Sequence, residues 1–487
     1  MLLPMNLQTC FPRYSDFDPL VPVWCITPNE GRCIHRFFDT SPISPSGRYL
    51  AVFRLPFEDR QPRPGDSGQV CVVDLETGKE RVVAETQGWE PQMGANMNWG
   101  GSDHVIFFND VDASTWQPFA WKLDPLTGAR QRMEGTVYHV SPDGRWLISA
   151  NMTTMRITQP GYGVVAPKEY IRRNIGPASD DGFYLTDAQT GKSHLLLSIS
   201  DIVERARPRV IIENPLQQEI YGFHSKFNHQ GNRLMMSLRW FPTSVRTRGY
   251  FSRAGCTTSS VPPVSRIGRF LYFLEGRNPS RPFLRNFLRR LTDVDRLKVR
   301  WLWATGQLEW NAFALAYSEV RYAWVTSRID GTLLHCAVGP EQWEKGGHHA
   351  TWCPNGERIS MNLDIDREGC VRFVESGADG AYLRKMNDTV VGSGHPTVFP
   401  DGRHILTDTY AADKIAFGDG TVPLRWIDLA TSKEQTLVRI NVRTPSDDVV
   451  LRVDAHPAWD RTWRYITFNA FVGGTRRVFI ADMSHLL

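Results

Sequence analysis

The 487-residue chain has no run of 18 apolar residues, so no helix of it can cross a bilayer, and no membrane is expected as a partner. Its opening, MLLPMNLQTCFPRYSDFDPL, lacks the basic stretch of a secretory signal, and Pro4 and Asn6 break the apolar core that such a signal needs. A cytoplasmic location is the expectation. The eight cysteines form no CxxC pair, and Cys71 lies inside the apolar run VCVVDL, where a thiol serves as a small hydrophobe, so reduced thiols are expected. P-loop, dinucleotide-binding and nucleophile-elbow motifs are also missing. So is a strong charge of one sign: 56 Lys+Arg against 52 Asp+Glu gives a formal +4, too little on this chain for a polyanion surface, and nucleic acid is not an expected partner. With 41% hydrophobic and 22% charged residues, the chain is neither disordered nor fibrous.

What is present is a repeat. A hydrophobic position, then P-D/N/S-G, a basic or polar pair and an apolar strand recur as ISPSGRYLAVF from Ile43, VSPDGRWLISA from Val140, FNHQGNRLMMS from Phe227, WCPNGERISMN from Trp352 and VFPDGRHILTD from Val398. MNWGGSDHVIFF from Met97 and AWDRTWRYITFN from Ala458 are degenerate copies without the proline. Each copy leads into a second strand pair, as in VCVVDLETGK, AWKLDPLTGA, FYLTDAQTGK and LRWIDLATSK. A four-stranded antiparallel unit repeated seven times buries both sheet faces most simply by radial stacking, so the chain is expected to be all-β, a seven-bladed β-propeller forming one domain over residues 1–487. The last copy has only three strands, and the segment VPVWCITP near the N-terminus is expected to supply the fourth. Within the fourth copy, residues 241–314 read as an irregular Arg-rich loop insertion. Residues 246–300 hold thirteen basic and three acidic side chains, leaving the rest of the chain at −6, and RPFLRNFLRRLTDVDRLKV there could form a short amphipathic helix.

Aligned on the turn, the residue five places before the proline position begins the innermost strand of each blade. It reads Thr40, Asn96, Val137, His224, His349, His395 and His456. Inner strands line the propeller axis, so four consecutive blades aim histidine at one point. A single channel histidine can simply hydrogen-bond water, but three or four in register are metal-ligand or catalytic chemistry, since Zn and Mn accept neutral imidazole nitrogen. The long loops leave the same end, and Arg36, Arg156, Tyr162, Arg239, Tyr410 and Arg476 in or beside them suit a carboxylate-bearing ligand.

The segments GGHHATWCPNGERISMN, GSGHPTVFPDGRHILTD and RVDAHPAWDRTWRYITFN resemble the seven-bladed polysaccharide lyases, most clearly oligogalacturonate lyase, with a looser similarity to the propeller ulvan lyases. The resemblance implies a carbon–oxygen lyase acting on an acidic oligosaccharide. It also implies a divalent metal, manganese first with zinc or calcium as alternatives, on His349, His395 and His456. The family's Q-x-x-H-x-H-P run reads Leu451, Arg452, Val453, Asp454, Ala455, His456, Pro457 here, so Asp454 or His224 is left to complete the shell. β-Elimination at a uronate needs its carboxylate neutralised, a base for the C5 proton and an acid for the leaving oxygen. The residues offered are the metal trio, His224 as base, Tyr162 as acid, and Arg36 and Arg239 as carboxylate clamps. The alternative is a non-catalytic TolB-like propeller that binds a protein or an anionic glycan through the Arg-rich insertion.

Overall fold

The computed structural model describes residues 7–244, 320–343, 347–446 and 448–487. Seven four-stranded antiparallel sheets form a β-propeller. The inner strands of blades 1 to 7 are, in order, Cys33–Ile34, Asn98–Trp99, His139–Val140, Gln218–Phe227, Gly347–Trp352, Thr397–Val398 and Ala458–Trp459. Middle strands are apolar on both faces because each is packed between neighbouring blades: all six residues of Tyr49–Arg54 are buried. The turns explain the repeat. In D-x-x-T-G the aspartate folds back onto the turn amides, as Asp74 Oδ1 accepts from Glu76 N at 3.0 Å and Asp187 Oδ1 from Gln189 N at 2.8 Å. In P-D-G the glycine takes a left-handed backbone, and at Gly144 (φ +75°) a Cβ would also lie 2.4 Å from Gly101 N.

The ring closes as the incomplete seventh copy predicts. Val23–Cys25 pairs antiparallel with Thr475–Asp482, placing Val23 opposite Ala481 and Cys25 opposite Phe479. No helix among the described residues is long and apolar enough to cross a membrane. The seven described cysteines are all unpaired. The two middle strands of blade 4 flank the Arg-rich stretch: Arg233–Pro242 extends past residue 241, and Arg321–Arg328 pairs with it in the sheet. Residues 245–319, with the helix expected there, lie outside the described residues.

Both ends of the axis are closed by side chains. At the P-D-G end, Arg461 of blade 7 donates to the Gly100 carbonyl of blade 2 (2.9 Å), and the rings of His229 and Trp463 lie 5.7 Å apart. At the other end, blade 1 departs from the repeat. Its inner strand stops at Ile34, and the chain rejoins the sheet only at Ile43, opposite Leu50. The excursion His35–Pro42 projects inward, and Phe37 and Phe38 fill the axis fully buried.

Candidate functional site

The backbone aims the histidines before the side chains choose partners. The inner strand of blade 4 changes register between Gly222 and Ser225, and that of blade 5 between His348 and Thr351. These bulges turn His224 and His349 off the ladder toward the axis. His349 (φ +55°) and His456 (φ +50°) sit in left-handed conformations that cost a non-glycine residue on the order of 1 kcal/mol each. The position is held by side chains in or just after the second strand of a neighbouring blade. Asn109 Oδ1 accepts from Val137 N (2.7 Å), Asp408 Oδ2 from His456 N (3.0 Å), and Asn469 Oδ1 from His35 N (2.9 Å). This series corrects the sequence register: in blade 1 the equivalent residue is His35, not Thr40, because the excursion inserts residues between the axial position and the turn. Five consecutive blades therefore bring histidine to the axis.

The rings gather around Phe37. Its centroid lies 5.5 Å from His224, 6.3 Å from His349, 5.5 Å from His395 and 4.7 Å from His456. His395 is 3.8 Å from His349 and 4.3 Å from His456, ring to ring. The tightest donor group is His395, Asp454 and His456, one atom of each within 4.8 Å of the others and all three side chains buried. His349 stands beside it with Nδ1 engaged, 2.9 Å from the Gly394 carbonyl and 2.8 Å from His348 Nδ1, while the Tyr410 hydroxyl reaches both its nitrogens at 3.2 and 3.3 Å.

Hydrogen bonding fixes how His395 is presented. Asp408 accepts from His395 N (2.7 Å) and from its Nδ1 (2.9 Å), which leaves the Nε2 lone pair exposed to the centre, buried and without a hydrogen-bond partner. Both ring nitrogens of His456 also lack one. Burial, reinforced by His395, depresses His456 and His349 far below the usual imidazole range, and burial with Lys226 does the same to His224, so these rings are neutral at pH 7. Burial would raise the Asp408 carboxyl, but the His395 contacts outweigh it and hold it low.

The residues expected to act on a substrate separate into two groups. His224 is buried, stacks on Phe223 at 4.1 Å and lies 5.1 Å from Tyr138 and 5.7 Å from Tyr162, with Nε2 lacking a hydrogen-bond partner. Tyr162 is buried, and burial, aided by Asp454 and Glu90 against the pull of Arg452, raises its phenol so that it keeps its proton. Arg239 lies over the Phe223 ring at 3.4 Å and donates to Gln159 Oε1 at 2.6 Å. Arg36 is not placed to clamp a ligand. It is 1% exposed and donates to Asp39 Oδ1 (2.9 Å), Thr40 Oγ1 (2.5 Å) and the Tyr138 carbonyl, while Asp39 pairs with buried Lys226 at 2.7 Å. A guanidinium so fully spent inside the protein supports the plug. Burial pushes Asp39 up, but Lys226 and Arg36 pull it well below the carboxylate range, so the carboxylate stays ionised between two buried cations.

Three participants were not singled out in the sequence: His35, Asp408 and Glu90. Asp408 had a signal, because Asn109, Asn362, Asp408 and Asn469 all lie in or just after the strand that follows the turn. Glu90 carries no motif. Its carboxylate accepts from Asn96 Nδ2 (3.0 Å) and from Gly163 N, and burial pushes it up to about 8 against the opposing effects of Asn96 and Arg36.

The fold is that of the solved oligogalacturonate lyases. The enzyme from Vibrio parahaemolyticus superposes with a TM-score of 0.55 at 11% identity, covering 97% of this chain and 96% of that one. An oligogalacturonate lyase in complex with manganese gives 0.55 at 12% identity over the same shares. A putative TolB from Agrobacterium tumefaciens reaches only 0.33 at 13% identity, covering 74% of this chain and 85% of that one. No family model matches the chain, and no curated protein registers as a relative.

The donor chemistry fits a divalent cation. Two imidazoles and a carboxylate are borderline-to-hard ligands of the kind that manganese and zinc accept. Asp408 on the far nitrogen of His395 is the carboxylate partner that orients metal-bound histidines. A buried Nε2 with no hydrogen-bond partner is costly unless something binds it.

Proposed function

We propose that this protein is a lyase that cleaves uronate-containing oligosaccharides by β-elimination with the help of a divalent cation. The observation that carries this reading is the His395 Nε2 atom. It is buried and without a hydrogen-bond partner, it is oriented by Asp408, and it belongs to the donor group with His456 and Asp454. These three residues would hold the cation, Asp454 while also pairing with Arg452 at 2.9 Å, and His349, 3.8 Å from His395 ring to ring, would be a neighbouring donor. A bound cation supplies positive charge that neutralises the uronate carboxylate and acidifies the proton at C5.

The remaining roles fall to the protein's own groups. His224, held neutral by burial, accepts the C5 proton on Nε2. The electron pair from that bond forms the C4–C5 double bond as the C4–O bond breaks. The Tyr162 phenol, which keeps its proton, donates it to the departing oxygen. Phe37 and Phe38 exclude water from beneath the reacting sugar. Arg239, fixed by Gln159 and Phe223, borders His224 and stays the clamp candidate on that side.

The test has two parts. Metal analysis of the purified protein is expected to find close to one divalent ion per chain, and galacturonate, glucuronate and mannuronate oligomers are incubated with the protein plus Mn, Zn or Ca. An ultraviolet signal of unsaturated uronate that disappears in His395→Ala supports the reading. Absence of that signal with every oligomer and metal refutes it.

A further inference from the structure

The loops offer several arginines beside the axial site, and their partners sort them: Arg452 is spent on Asp454, from Nε at 2.9 Å, and on the Val449 carbonyl. Arg36 is spent on Asp39, Thr40 and Tyr138. Arg476 is spent on Glu58, from Nη1 at 3.1 Å, and on the Leu451 carbonyl. Arg239 is tied to Gln159. Among the described residues Arg156 has no hydrogen-bond, ion-pair or ring partner, and it is part-exposed rather than sealed in.

Its placement is rigid. The short helical turn Met155–Thr158 is pinned on three of its four side chains: Met155, Ile157 and Thr158 are buried, and Arg156 is the remaining one. Met155 packs in one cluster with Phe37, Tyr138, Tyr162 and Phe223, and Ile157 in another with Tyr221, Tyr322 and Trp324. Gly163 (φ +80°), the residue after Tyr162, approaches so closely that a Cβ there would lie 2.9 Å from Met155 Cβ and 3.3 Å from Arg156 N. The turn belongs to the connection that leaves the second strand of blade 3 at Ala150. In an antiparallel sheet that end lies beside the start of the inner strand, the end that carries the histidines.

Such a group is expensive to the protein alone. A partly buried guanidinium with no counter-charge loses hydration and gains nothing in exchange, and burial accordingly depresses its affinity for the proton. The other loop arginines discussed above have found acceptors. The one that has not directly follows Met155, which packs in one cluster with the proposed acid Tyr162.

We propose that Arg156 is the receptor for a sugar carboxylate of the substrate and sets the preference for acidic over neutral oligosaccharides. This rests on the lyase reading above and names the group that recognises the charge of a uronate. The planar fork of guanidinium pairs both carboxylate oxygens at once, a geometry that lysine cannot reproduce.

The experiment measures binding by calorimetry on the full-length chain. The ligands are trigalacturonate, triglucuronate and trimannuronate and the methyl ester of each, and the proteins are wild type, Arg156→Gln and Arg156→Lys, with thermal melting of all three. The expected result is that wild type binds at least one acid better than its ester, Arg156→Gln weakens the acid by about tenfold or more while leaving the ester unchanged, and Arg156→Lys falls between. Arg156→Gln is also expected to melt no lower than wild type, because it removes an uncompensated cation; a merely structural arginine would lower the melting temperature instead. Equal acid affinity in wild type and Arg156→Gln overturns the assignment and leaves the lyase reading intact. Failure of wild type to bind or cleave any of the acids overturns both.

Discussion

Glu90 gives a sharply signed test of the electrostatics around the site. Its side chain is 1% exposed, it receives only Asn96 Nδ2 and Gly163 N, and its folded-state value is about 8. The unfolded chain ionises it near 4.3. A carboxyl raised in the folded state contributes stability that is fully present below the unfolded value and is lost as pH rises through the folded one. The loss accrues at about 1.4 kcal/mol per pH unit over that interval and amounts to about 4–5 kcal/mol by pH 8.5. Asn96 Oδ1 has no partner, so a flipped Asn96 amide would accept the Glu90 O–H at neutral pH. Glu90→Gln keeps shape and an uncharged state at every pH. Urea unfolding of wild type and Glu90→Gln at pH 5 and pH 8.5 measures the difference: the variant should be close to wild type or slightly weaker at pH 5 and more stable by several kcal/mol at pH 8.5. An identical stability difference at both pH values would refute the reasoning, since it would mean that Glu90 ionises in the folded protein as it does in the unfolded one.

Other outcomes follow from the same geometry. Asp408→Asn should weaken metal binding by about 10- to 100-fold in a calorimetric titration, because the His395 ring loses its orienting acceptor. Its amide nitrogen would also face a backbone N–H, costing about 1–3 kcal/mol in a denaturant melt. Phe37→Ala should destabilise by about 3–5 kcal/mol and weaken metal binding as well, since the ring packs against four histidines at once. Arg36→Ala should lower stability by about 1–3 kcal/mol by stripping buried hydrogen bonds from Asp39, Thr40 and the Tyr138 carbonyl while Lys226 still pairs Asp39, whereas a ligand clamp would affect binding alone.

How far the sequence could be read depended on whether spacing was conserved between turn and axis. For His395 and His456 the five-residue offset holds, and their rings meet at 4.3 Å. The missing fourth strand of blade 7 was equally legible, because VCVVDL-like apolar runs leave few other homes for VPVWC. In blade 1 the offset pointed to Thr40, since nothing in HRFFDTSP announces that the chain leaves the sheet and returns. Arg36 looked like a ligand clamp because a lone arginine in a loop carries no mark of its eventual partner, and Asp39 and Lys226 are joined only by the fold. Asp454 was legible as a donor beside His456, but that it rather than His349 falls within the tight group depends on ring orientation, which left-handed backbone at His349 and the Gly394 carbonyl decide.

The strand that latches the ring and the segment that fills its centre lie close together in the sequence: Val23–Cys25 pairs with Thr475–Asp482, and Phe37 follows shortly after. A ribosome therefore emits the plug first and its lock last. All the histidines of blades 4 to 7 emerge before Thr475–Asp482 exists to receive Val23, so the N-terminal segment must wait more than 400 residues of synthesis for its seat. Contacts so distant in sequence form late in folding. The chemistry of the axis is thereby tied to the synthesis of Thr475–Asp482: a nascent chain halted before residue 475 would carry each histidine discussed above and still lack the latch that sets Phe37 among them.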